Sequence, residues 1–158
     1  MLFDFIIVNM KVSNITIVEP QTSEEFEAYF LVRYNVLRKP WRKPIGSEKD
    51  EMEKDCTHAM AIDSNGNIIG VCRLQFNSPS QAQIRYMAVI ESEQGQGIGS
   101  RLLHYMEDKA KRNNVKNVIL HARSSALNFY LNCGYVNNGK SYLMWDSIQH
   151  YLMCKLLK

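Results

Sequence analysis

The sequence predicts an α+β domain built on a mixed sheet, and three observations carry that prediction. A strand, a helix and a second, wholly apolar strand follow one another over residues 82–120; an Asn-Gly turn joins two strand-like runs within residues 59–76; two further runs, 135–143 and 150–157, close the chain. The strand-helix-strand order makes a right-handed βαβ unit with a buried parallel pair, whereas the other runs return by short connections and pair antiparallel. At 158 residues, 46% of them hydrophobic and 22% charged, the whole of 1–158 fits one ordinary domain.

Taken in order, Met1-Leu2-Phe3-Asp4-Phe5-Ile6-Ile7-Val8 is apolar but has Asp4 inside, no basic leader and no small-residue cleavage site, so an extra strand or packing arm is expected there. Ile15-Thr16-Ile17-Val18 is a strand stopped by Pro20. Thr22 precedes Glu25 by three, the spacing of a capping box, and Phe26, Tyr29, Phe30, Val36 and Leu37 recur at helical intervals behind it. Arg33 falls on that same apolar stripe, where it either lines a pocket or snorkels. Pro40, Pro44 and Gly46 then break the chain, and the acidic stretch 47–55 has room for a short second helix.

Residues 59–62 and 68–76 form a hairpin about Asp63-Ser64-Asn65-Gly66-Asn67. Residues 82–90 are a strand; 97–112 are a helix with Ile98, Leu102, Met106 and Ala110 on one face; Val118-Ile119-Leu120 is a buried strand. Ser124 or Ser125 can cap a further short helix ending at Cys133, with Gly134 as the left-handed residue beyond it.

Several function classes are excluded early. No run approaches the roughly 20 apolar residues of a membrane span, and a net charge of +3 without a basic stripe is too weak for a nucleic-acid footprint. A small polyanionic ligand suits that charge better. Cys56, Cys72, Cys133 and Cys154 lack paired spacing and fall at strand and helix-end positions, which predicts reduced thiols, a cytoplasmic setting and no metal site.

The informative segment is Gln94-Gly95-Gln96-Gly97-Ile98-Gly99-Ser100, a glycine turn between a strand and a helix. Close glycines let a phosphate reach the main chain, and the unpaired amides of the helix start face it with the positive end of the dipole. No Gly-Lys-Ser/Thr follows, and the third glycine of a dinucleotide fingerprint is replaced by Ser100, so both commoner phosphate loops fail.

Gln94-x-x-Gly97-x-Gly99 resembles the Gln/Arg-x-x-Gly-x-Gly/Ala signature of the GNAT acetyltransferases. Ala126-Leu127-Asn128-Phe129-Tyr130 with Gly134-Tyr135 is similar to that family's later Ala-x-x-(Leu/Phe)-Tyr-x-x-x-Gly-(Phe/Tyr) segment, in register downstream. Arg33-x-x-Val36-Leu37-Arg38 and the ending with His150 and Met153 are reminiscent of its ElaA-like branch. The resemblance implies the GNAT fold: a central sheet of six to seven strands with flanking helices and splayed central parallel strands. It also implies acetyl-CoA as co-substrate, a primary amine as acceptor, direct attack in a ternary complex, and a monomer or homodimer. The alternative is a non-catalytic acyl-CoA-binding or sensing module.

Residue by residue, the resemblance implies that Met87, Ala88 and Val89 run beside the pantetheine arm. Gln94, Gly95, Gln96, Gly97, Ile98, Gly99 and Ser100 hold the pyrophosphate, and Asn128 and Tyr130 complete the cofactor contacts. Tyr130 is the expected general acid, although a phenol near 10 gives up its proton to a thiolate near 8.5 only against the gradient. Gln83 stands where some relatives carry a glutamate base, which leaves His121, at the carboxyl end of the buried strand, as the candidate base because imidazole titrates near working pH. Arg33, His58 and Arg85 are the candidates for holding the acceptor. Glu51, Glu53 and Asp55 could instead attract a cationic substrate. Arg123 departs from the family's asparagine, Gln94 from its commoner arginine, and Arg101 could add charge near the pyrophosphate. The acceptor itself stays open among protein N-termini, lysines, polyamines, aminoglycosides and small metabolites.

Overall fold

The computed structural model describes residues 14–158; the apolar opening expected to form a strand or arm lies outside them. The elements are β1 (Thr16–Val18), α1 (Ser23–Leu37), β2 (Thr57–Ile62), β3 (Ile68–Ser78), β4 (Gln81–Val89), α2 (Ile98–Arg112), β5 (Asn117–Arg123), α3 (Leu127–Asn132), β6 (Val136–Met144) and β7 (Ile148–Leu156). Seven strands make one sheet in the order β1-β2-β3-β4-β5-β7-β6. Among the described residues, only the β4–β5 pair is parallel.

Side-chain alternation along the strands decides which face each helix covers. On β2, Ala59 and Ala61 pack into the core beneath α2, while Met60 joins Tyr29, Val71 and Ala88 beneath α1. So α1 lies on one face of the sheet, with α2 and α3 on the other. The predicted stripe of α2, Ile98, Leu102, Met106 and Ala110, is at most 1% exposed. Full burial of each of its three larger side chains contributes roughly 1.5–3 kcal/mol.

Local signals act as the sequence predicts at two places. The Glu25 N–H donates to Thr22 Oγ1 and the Thr22 N–H to Glu25 Oε2, each at 3.1 Å, so both halves of the capping box form. In the β2–β3 hairpin, Asp63 Oδ1 accepts from the Asn65 and Asn67 amides, and Gly66 takes a positive φ of 84°.

Two expectations are corrected. Neither Ser124 nor Ser125 caps α3; residues Ser124–Ala126 form a 3-10 turn that runs straight into the helix. The acidic stretch 47–55 holds no α-helix, only a 3-10 turn at Glu53–Asp55, because its groups are drawn inward by arginines of the core. Arg38 Nε donates to Ser47 O, Arg33 Nη1 to Glu48 O, and Arg73 Nη1 and Nη2 to Asp50.

One irregularity positions everything that follows. Between β3 and β4 the register runs from Val71↔Ala88 to Arg73↔Arg85, so β4 carries one extra residue, a β-bulge. Tyr86 sits inside it at φ 53°, a left-handed conformation that costs a tyrosine on the order of 1 kcal/mol or more. Its ring is held against the guanidiniums of Arg33 at 4.2 Å and Arg73 at 4.8 Å. The bulge bends β4 away from its other neighbour: β4 and β5 pair only from Gln81↔Asn117 to Ile84↔Leu120 and then separate.

Candidate active site

Where β4 and β5 part, a cleft of about 340 Å³ opens between them. Arg85 and Met87 line it from β4, His121 and Arg123 from β5, Tyr130 from α3, and Tyr142 and His150 from the closing hairpin. On β5, Val118, Leu120 and Ala122 are buried in the core under α2, so His121 and Arg123 stand on the α1 face.

Main-chain donors reach the same opening. The Ile90 N–H donates to Ile69 O at 3.0 Å. Antiparallel ladders alternate, so this bond commits Ala88 to β3 and turns the Val89 N–H toward the gap that β5 has left. Of the three β4 amides expected beside a bound arm, that of Ala88 therefore faces the ladder. Gln94 Nε2 donates to Val89 O at 3.0 Å, which ties the glycine turn to the end of the strand.

The turn itself is built for an anion. Gly97 is the N-cap of α2 with φ 81° and no side chain caps the helix, so its first amides are left unpaired. Cβ atoms placed at Gly95 or Gly97 would meet none of the described residues within 4 Å, which leaves the main chain open on that side among them, and the φ of 78° at Gly95 also favours glycine. Gly99 serves differently: a Cβ there would stand 3.0 Å from the Phe129 ring, so its bareness lets α2 approach α3. Ile98 is buried and offers only its main chain, whereas Gln96, Ser100 and Asn128 are exposed. Arg101 is turned away, donating to Ile15 O. These features fit a pyrophosphate held by main-chain nitrogens.

Tyr130 is 7% exposed, with its ring edge-on to Phe129 and Tyr135. Burial pushes its phenol well above the usual tyrosine range, so the proton stays in place at neutral pH. His121 Nδ1 lies 2.9 Å from Ser141 Oγ. Partial burial, and then the charge of Arg85, lower its pKa, so the ring is neutral at pH 7 and able to accept a proton. Gln83 lines the same cleft but carries no basic group.

Two predicted acceptor residues stand elsewhere, and the reason is burial. Arg33 is 0% exposed, with Nη1 donating to Glu48 O and to Glu53 Oε1 at 2.8 Å and Nη2 donating to Tyr29 Oη. A charge on an apolar stripe must find partners inside, and these engage Arg33 beneath α1. His58 has both ring nitrogens engaged, Nδ1 at 3.0 Å from Tyr29 Oη and Nε2 at 2.7 Å from Glu53 O. Glu53, a candidate lure for cations, likewise points inward to Arg33 and Arg73. Cys133 half-buries its sulfur beside Ser100 Oγ, outside the cleft.

Tyr142 and Arg38 also line the cleft, a placement the sequence reading does not anticipate. Tyr142 stacks on His150 at 4.4 Å with an 11° interplanar angle and also touches His121. The two-residue spacing of His121 and Arg123 on one strand was a usable signal, since it puts both on one face. Nothing in the sequence announces that β6 brings Tyr142 across β7 to meet them.

Comparison with known proteins gives a consistent result. The sequence model of the Acetyltransferase (GNAT) family matches residues 20–135. A Bacillus subtilis protein named as the uncharacterised N-acetyltransferase YjcF is 24% identical over 135 residues, covering 85% of this chain and 95% of its own. An acyl-CoA N-acyltransferase from Pseudomonas aeruginosa is 25% identical with a TM-score of 0.75, covering 90% of this chain and 99% of its own. Escherichia coli ElaA shares the fold at 17% identity, with a TM-score of 0.73 over 90% of this chain and 99% of its own.

Proposed function

The chain belongs to the GNAT acetyltransferase family, and from that premise we propose an N-acetyltransferase that passes the acetyl group of acetyl-CoA directly to a primary amine in a ternary complex. The observation that most supports this reading is the parting of β4 and β5 next to an uncapped helix start. One strand thereby supplies both a free amide at the gap and the glycine turn beyond it. Acetyl-CoA, when bound, supplies a thioester carbonyl and a thiol leaving group.

The chain's own groups then divide the work. The amides of residues 97–100, with the Ser100 hydroxyl, grip the pyrophosphate through the helix dipole and direct hydrogen bonds. Met87 and Val89 flank the pantetheine arm, and Asn128 adds a polar contact from α3. The Val89 N–H donates to the carbonyl oxygen as charge develops there, at little reorganisation cost because the strand fixes it. As the new C–N bond forms and the C–S bond breaks, His121 Nε2 takes the proton the amine loses, and Tyr130 Oη donates a hydrogen bond to the sulfur that receives the electron pair. Because burial raises the phenol, this hydrogen bond stabilises the thiolate without full proton transfer.

No described helix is long and apolar enough to cross a membrane; a cytoplasmic monomer or homodimer is the setting we propose. Calorimetry should detect saturable uptake of acetyl-CoA by the purified protein, and thiol release should follow when a competent amine is added. Absence of any uptake would remove the transferase reading.

The role of His121 makes a separate prediction. A base must be unprotonated, and burial lowers this imidazole below 6.5. With saturating acceptor, kcat should therefore rise as pH climbs through a value below 6.5 and then level off. In His121→Ala that acid limb should vanish and kcat should drop about 100-fold, the lower end of general-base contributions. An acid limb that persists in the variant assigns the base elsewhere.

A further inference from the structure

The α1 face of the cleft gathers three guanidiniums, and among the described residues only that of Arg85 has a carboxylate partner, Asp50 at 3.4 Å. Arg38, Arg85 and Arg123 line the cleft, no aspartate or glutamate among the described residues does, and the adjoining His121 and His150 add no charge at pH 7 because partial burial lowers both imidazoles. Arg38 Nη1 and Arg123 Nη2 both donate to the single carbonyl oxygen of Leu37, at 3.0 and 3.3 Å, so two guanidiniums meet on one acceptor. The neighbouring carboxylates are engaged elsewhere. Asp50 binds Arg73 through both oxygens at 2.7 and 2.9 Å and reaches Arg85 only at 3.4 Å, while Glu48 Oε2 accepts from the Gly46 amide. Aromatic rings give partial compensation: Trp41 beside Arg123 at 5.6 Å, Trp145 beside Arg38 at 5.3 Å, and Tyr86 beside both Arg38 and Arg85.

Like charges held together in a half-buried chamber repel, and a bound oxyanion relieves that repulsion through charge-assisted hydrogen bonds. The pyrophosphate cradle does not need these arginines, because it lies at the start of α2, which packs on the opposite face of the sheet. We propose that the acceptor is a primary amine that also carries an oxyanion group, a carboxylate or a phosphate, and that Arg38, Arg85 and Arg123 receive that group. The inference rests on the transferase reading for the identity of the amine's partner. It disfavours polycationic acceptors such as polyamines and aminoglycosides, whose ammonium groups would add to the repulsion. The same field lowers the pKa of the attacking amine, which must be neutral to react.

Trp41 and Trp145, the only two tryptophans in the chain, adjoin the arginines and report occupancy by fluorescence. Two ligand pairs separate the possible acid groups: β-alanine against β-alaninamide, and phosphoethanolamine against ethanolamine, each titrated with and without CoA. At least one acid-bearing member should bind about tenfold or more tightly than its partner, the gain from one charge-assisted hydrogen bond. Which pair shows the preference identifies the group as carboxylate or phosphate. The preference should fall in Arg85→Gln, whose wild-type side chain is 39% exposed and removable without opening the core, and in Arg123→Gln, with thermal melting used to establish that both variants fold. Equal or weaker binding of the acid-bearing member in both pairs, no fluorescence response to any of the four, or a preference that survives in both folded variants overturns the proposal. Acetyl-CoA uptake is measured on the same sample: its failure removes the transferase reading, while the titrations without CoA still decide the anion site.

Discussion

Tyr130→Phe is expected to lower kcat by about 100-fold or more while leaving acetyl-CoA affinity within about twofold, as befits a donor that acts mainly on the departing sulfur. The substitution keeps the ring and therefore its packing on Phe129 and Tyr135, at centroid distances of 4.8 and 5.9 Å. Folding should be preserved and the loss confined to the hydroxyl. Since burial raises the phenol, the wild-type enzyme should show no basic limb from this group below its ordinary value near 10. Steady-state kinetics with saturating acetyl-CoA and a competent amine check both statements. An unchanged kcat takes Tyr130 out of the chemistry, and a rise in the KM for acetyl-CoA at constant kcat reassigns it to binding.

Tyr130 is singled out by the family resemblance, but the end of its helix is legible locally, since Gly134 takes a φ of 90°, the left-handed value such a position demands. The same holds for the capping box at Thr22 and the turn at Gly66, where one or two side chains settle the conformation. The parting of β4 and β5 belongs to another class. It was expected from family resemblance alone, because the extra residue at Tyr86 leaves no mark on hydropathy: Ile84 and Ala88 are buried whether or not a bulge lies between them. Segment 38–56 was illegible for a related reason. Its path is set by donors distant in sequence, such as Arg73 reaching Asp50, and its acidic run looks like a solvated helix until those donors are in place. Arg33 stands out in the sequence as a charge on an apolar stripe, but the sequence alone does not show whether it turns to a ligand or, as it does, to Glu53.

Arg73→Leu should be the most destabilising single change among these buried charges, costing about 3–5 kcal/mol. Arg73 is 0% exposed and binds Asp50 through both oxygens, Glu53 Oε1 at 2.8 Å and Gln75 Oε1. Leucine would fill much of the volume but leave two largely buried carboxylates facing one another, with Arg33 against Glu53 and the more distant Arg85 against Asp50 as their remaining close cations. Denaturant melts would register the loss, and their pH dependence would identify its origin. The hydrogen bond from Arg73 holds Asp50 down to about 2 against an ordinary 3.8. A depressed carboxyl stabilises the fold above its unfolded pKa and ceases to do so as pH falls through the folded one. Wild type should thus lose about 2 kcal/mol between roughly pH 5 and pH 1 from this group, and Arg73→Leu should lose little there because the bond is already gone. Arg73→Leu with Asp50→Asn should be less damaged than the sum of the single changes, since removing both partners strands fewer charges. Tyr86 connects this stability to turnover. Its left-handed backbone is held in place by the Arg73 guanidinium against its ring and by its hydroxyl donating to Asp50 at 3.3 Å. Loosening that grip relaxes the bulge that keeps β4 away from β5, so any folded fraction of Arg73→Leu should also show a raised KM for acetyl-CoA.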